Sequence, residues 1–101
     1  MVFLENDTDN KYKKKQMNDQ RILEELLSLL EANGVKIREE PLGGSGGGLS
    51  MMKGENLFFK DTQAPASLMA VMCAKAITKI VDIEQIYIKP EIREFIENYS
   101  D

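Results

Sequence analysis

Five of the chain's seven glycines fall in one stretch, Glu40-Pro41-Leu42-Gly43-Gly44-Ser45-Gly46-Gly47-Gly48-Leu49. Glycine enters positive-φ conformations that a Cβ resists, so such a run reads as a wide turn, not as regular structure. What flanks it is strand-like. Before it, Val35-Lys36-Ile37-Arg38-Glu39 alternates apolar and charged residues with period two, directing Val35 and Ile37 inward and Lys36 and Arg38 to water. Pro41, which cannot donate to a ladder, ends that strand or confines it to an edge. After it, Leu49-Ser50-Met51-Met52-Lys53 and Asn56-Leu57-Phe58-Phe59-Lys60 flank Gly54-Glu55. Glycine in the first of two turn positions predicts a type II′ hairpin.

The sequence on either side of these strands is helical. Ile22, Leu23, Leu26, Leu27, Leu29 and Leu30 recur at steps of three and four from Asn18 onward, giving an amphipathic helix capped by Asn18 or Asp19 and stopped by Asn33-Gly34. A second helix is expected over residues 63–80, capped by Asp61 or Thr62, with Pro65 in its first turn. Few of its positions are polar, which marks it as the central buried helix. Gln85-Ile86-Tyr87-Ile88-Lys89 alternates and predicts a short strand. Pro90 then opens a terminal helix carrying Ile92, Phe95, Ile96 and Tyr99. Residues 1–17 read as a polar N-terminal arm, which Val2, Phe3 and Leu4 could dock onto a neighbour, and residues 18–101 as one domain.

The expected fold is therefore α+β: amphipathic helix, three-stranded antiparallel meander, long buried helix, short strand, C-terminal helix, with helices on one face of the sheet. Its core should centre on Leu26, Leu30, Ile37, Phe59, Met72, Ile77, Ile86 and Phe95. The hairpin is apolar on both faces, since Met51, Leu57 and Phe59 cannot all point the same way as Met52 and Phe58. Strands of that kind need cover on both sides, from the chain itself or from a partner.

Several chemistries lack their residues. The chain has no histidine, and the adjacent pairs Glu24/Glu25 and Glu39/Glu40 point apart on a helix or strand, so no zinc set or acyl-transfer triad is evident. Cys73 lies in an apolar helix without a base to activate it and reads as a small packed hydrophobe. Asp61 sits at a strand-to-helix junction, where capping accounts for it. The glycine spacing completes neither the dinucleotide fingerprint nor the P-loop, and strand-like sequence follows it where both motifs require a helix. A net charge of -4 argues against general nucleic-acid binding. Lys11, Lys13, Lys14 and Lys15 are interspersed with acidic neighbours and read as a solvated face or tail. No apolar run approaches a membrane span or a signal peptide, and the single cysteine fits a reducing cytoplasm.

Residues 23–80 also resemble, in the order of their elements, the small zinc peptidases of the ImmA/IrrE type, a branch of the gluzincins. There a helix is followed by a strand, a glycine-rich turn, a hairpin ending near a sequence like Leu57-Phe58-Phe59-Lys60-Asp61-Thr62, and a helix bearing HExxH. Here that helix reads Pro65-Ala66-Ser67-Leu68-Met69-Ala70-Val71-Met72-Cys73-Ala74-Lys75, without His or Glu. No metal ligand or catalytic residue carries over. The resemblance implies a reduced, non-catalytic relative of a peptidase fold.

The leading functional expectation is a non-enzymatic module that self-associates or binds another protein through a surface of Met51, Met52 and Phe58, without a cofactor. The alternative is a small-molecule or anion-binding domain in which the backbone amides of Gly43, Gly44, Ser45, Gly46, Gly47 and Gly48 form the concavity.

Overall fold

Helix α1, Asp19–Ala32, begins where the Asn18 side chain accepts the Arg21 N–H at 2.8 Å and so satisfies a donor left free in the first turn. It ends in a Schellman arrangement. Gly34, at φ +88°, donates to Glu31 O, and Val35 donates back to Leu30 O, both at 3.1 Å. This return tucks Val35 against the core beside Leu30 and starts the chain into the sheet. The computed structural model describes residues 18–99. The polar arm over residues 1–17, with its lysine run and with Val2, Phe3 and Leu4, lies outside the described residues.

The sheet comprises β1 (Lys36–Glu40), β2 (Gly48–Met52) and β3 (Glu55–Asp61), in the spatial order β1-β3-β2. β2 and β3 form the expected antiparallel hairpin, but β1 lies parallel to β3, with Ile37 beside Phe58 and Glu40 beside Asp61. The class is α+β as expected, whereas the sheet is mixed and not an antiparallel meander. The reason lies in β3. Its Leu57 and Phe58 face opposite sides and are both buried, at 8% and 0% exposure, so this strand belongs in the middle, with a neighbour on each edge. The glycine segment must then carry the chain from β1 over the end of β3 to β2. That crossing spans two interstrand spacings, roughly 10 Å.

Helix α2, Ala66–Ile80, buries Met69, Ala70, Cys73, Ala74, Ala76 and Ile77. Its small residues give α1 a close approach, and these two helices share the largest helix–helix interface. The helix starts three residues later than expected, and neither Asp61 nor Thr62 caps it. Pro65 holds the cap position without a side-chain bond. Helix α3, Pro90–Tyr99, packs Ile92 and Ile96 against α2.

The segment expected as a short strand, residues 85–89, forms none. Its alternation survives as burial, with Ile86 half-buried, Tyr87 exposed and Ile88 buried, but it joins no sheet among the described residues. Asp82 accepts the Glu84 and Gln85 N–H groups in the turn before it, and Arg93 donates to Ile83 O.

The core follows the expected set in part. Leu26, Leu30 and Ile77 are fully buried, and Ile37, Met72, Ile86 and Phe95 pack around them. Phe59 is half-buried, and Phe58 takes the central place instead. Either phase of a strand apolar on both faces satisfies the alternation rule, so only the helices select one.

The hairpin turn also shifts by one residue. Lys53 (φ 53°) and Gly54 (φ 80°) occupy its two centre positions, so the turn is type I′, not type II′ over Gly54-Glu55. A lysine there bears the cost of a left-handed backbone that asparagine tolerates better. Lys53→Asn is expected to stabilise the fold by roughly 0.5–1 kcal/mol, a rise of several degrees in Tm by calorimetry.

Candidate functional site

Crossing the end of β3, the glycine segment wraps around one buried side chain. Asp61, at 1% exposure, closes the strand and turns its carboxylate up into the loop. Oδ1 accepts the Leu42 N–H and the Gln63 N–H, both at 2.9 Å. Oδ2 accepts the Gly44 N–H at 2.7 Å and the Gly46 N–H at 3.0 Å. Beside it, the Gly43 N–H reaches Gln63 Oε1 at 2.7 Å. Burial alone works against ionisation of this carboxyl. The donors from Leu42, Gln63, Gly46 and Gly44 outweigh it and hold the pKa below the ordinary carboxylate value.

The loop therefore has the form of an anion cradle, and the anion in it is the chain's own. The amides of Gly44 and Gly46, which the binding alternative needs, point at Asp61, and that of Gly43 at Gln63. A second negative group would meet the Asp61 charge where the alternative needs free donors. Ser45 is exposed at the loop tip. Gly47 and Gly48 join β2 beside Phe59, where they line an open groove of about 420 Å³ with Leu42, Leu49, Ser50 and Phe59.

This role of Asp61 is not visible in the sequence, where capping accounts for the residue. A signal existed nonetheless. An acid that follows the apolar run Leu57-Phe58-Phe59, two residues before Gln63 and within twenty residues of five clustered glycines, can accept donors from both. Pairing them required knowing that the loop crosses β3.

The proposed interaction residues separate. Phe58 lies at 0% exposure between the sheet and the helices, because the helix-facing phase of β3 claims it, and it contributes nothing to the surface. Met51 and Met52, at 67% and 49% exposure, lie on the outer strand β2 at the far end of the hairpin from the glycine loop.

The two sheet edges differ in chemistry. β1 carries Lys36, Arg38, Glu39 and Glu40, with ion pairs Lys36–Glu55 at 3.2 Å and Arg38–Glu40 at 2.9 Å. Charges of this kind deter strand pairing. β2, Gly48-Leu49-Ser50-Met51-Met52, carries none. Its hydrogen-bond phase follows from the turn. A two-residue hairpin loop makes Met52 and Glu55 a mutually bonded pair, so Ser50 and Gly48 also bond inward to β3. The N–H and C=O groups of Leu49 and Met51 then point outward, and no element among the described residues pairs with them.

Cys73 is fully buried, and desolvation pushes its thiol up to about 12 despite the opposing charge of Lys60. At neutral pH it is a thiol within the core. Among the described residues, no three His, Cys, Asp or Glu side chains come together as metal ligands, and no helix is long and apolar enough to cross a membrane. No protein-family profile, curated protein or solved structure matches this chain.

Proposed function

We propose that this chain is a small non-enzymatic cytoplasmic interaction module that binds protein through the exposed β2 edge. The supporting observation is the contrast between the edges: β1 is guarded by four charged residues, whereas β2 has none, exposes Met51 and Met52, and directs outward backbone groups that no element among the described residues pairs with. An uncharged edge is a template for an added strand, whose main-chain bonds supply affinity and whose side chains supply selectivity. Methionine suits such a surface because its unbranched thioether adapts to a partner's shape. Under this reading the Asp61 knot is structural: it fixes the loop that delivers β2 to the edge. A reduced peptidase-like ancestry is compatible with a scaffold retained for binding.

A photo-crosslinking amino acid at Met51, introduced into the full chain in its own cells, tests the reading, with one at Lys36 as the comparison edge. Adducts to protein at position 51 and few or none at 36 are expected. Equal yields at the two positions, or none at 51, would refute it.

A further inference from the structure

We infer that the strand completing the β2 edge is β2 of a second copy of this chain, running antiparallel about a two-fold axis at Ser50. This inference rests on the reading of β2 as the interaction edge and goes further by naming the partner and the register. The outward groups of Leu49 and Met51 fix that register. Four main-chain hydrogen bonds form when Leu49 of each copy pairs with Met51 of the other, which places Ser50 opposite Ser50 as the intervening non-bonded pair. The side chains suit this arrangement. Leu49 shares the helix-facing side of the sheet with Phe58, and Met51 shares it with Asn56, so the pairing gathers two leucines and two methionines on one side. Met52, the bulkiest outer residue, falls beside Gly48, which has no Cβ.

Charge favours the same choice. Continued by one step, the register sets Lys53 beside Gly47, so no like charges oppose each other along the paired residues 47–53. The same operation on β1 would place Arg38 opposite Arg38. An isologous interface of this kind closes after two copies, because each uses the same edge, the one without charges among the described strands. The product is a continuous six-stranded sheet whose outer edges are both the charged β1.

The test uses the full chain and three single variants. Sedimentation equilibrium over a concentration series should give a dimer that dissociates on dilution. Ser50→Cys should convert under mild oxidation to a disulfide-linked dimer, since non-bonded antiparallel partners lie about 4.5 Å apart at Cα, within disulfide reach. Lys36→Cys on the other edge should remain unlinked. Met51→Lys should weaken dimerisation roughly tenfold or more, with an unchanged far-UV circular dichroism spectrum. A monomer at every concentration overturns the inference, as does a dimer that Ser50→Cys fails to trap and Met51→Lys fails to weaken. The two levels separate in the crosslinking experiment. Adducts at Met51 to a different protein alone would retain the edge and remove the second copy, whereas no adducts would remove both.

Discussion

Asp61→Asn is expected to lower Tm by roughly 10 °C or more, a large loss for an isosteric substitution. The wild-type carboxylate offers two acceptor oxygens to four backbone N–H donors. Asparagine keeps one oxygen and turns an NH₂ toward two donors, so either the Leu42/Gln63 pair or the Gly44/Gly46 pair meets another donor where it had an acceptor. Those bonds are part-buried, and a donor left facing another donor there loses its partner and part of its solvation together. The consequences reach past the loop itself, because it joins β1 to β2 over the end of the central strand. Thermal unfolding followed by circular dichroism measures the loss, and amide exchange at Gly44 and Gly46 locates it.

The same substitution should change the acid limb of stability. A carboxyl whose pKa is lower in the folded than in the unfolded chain binds its proton less readily in the native state. Its stabilisation is therefore complete above the unfolded value, near pH 4, and is lost as pH falls through the lower folded value. The difference in Tm between wild type and Asp61→Asn should be widest near neutrality and narrow at acid pH. A gap that stayed constant down to pH 2 would show that the carboxylate's charge is not what holds the loop.

Gly47→Ala is the second large effect, and its cause is steric. A Cβ at Gly47 would overlap the carbonyl oxygen of Phe59, part of the backbone of the central strand, which has no side-chain freedom to yield. Relief requires separating the start of β2 from β3. The expected loss is on the order of 3 kcal/mol, read as a lower urea midpoint with the m-value retained. Gly46→Ala provides a comparison. There the backbone has φ +95°, and the obstructing atoms are the flexible end of Met72, so backbone strain dominates and the loss should be smaller.

These effects show where the sequence was legible. The periodicity of α1, its Asn18 cap and its Gly34 stop are local: each depends on residues within one turn of the helix. Pro90 opening α3 is local in the same sense. The α+β class follows from alternating and 3.6-residue patterns that neighbouring residues reveal. By contrast, the phase of β3, the type I′ turn over Lys53-Gly54 and the absence of a strand over residues 85–89 depend on what lies across the sheet.

Of the three residues read as an interaction surface, Met51 and Met52 are exposed and Phe58 is buried. Met51 and Met52 could be picked out from a hairpin apolar on both faces, but Phe58 could not be excluded, because neighbouring aromatics in a two-sided strand look alike until a helix covers one of them.

The glycine run shows the division most clearly. By itself the sequence determined that residues 43–48 form a turn open to left-handed conformations, followed by strand, and that the spacing of a nucleotide loop is absent. Only the tertiary structure decided that β1 and β3 run parallel, that the loop must cross the end of β3, and that Asp61 fills it. Local propensity acts over a few residues, whereas the Asp61 bonds to Leu42, Gly44 and Gly46 span 19, 17 and 15 residues and exist only once the sheet has formed.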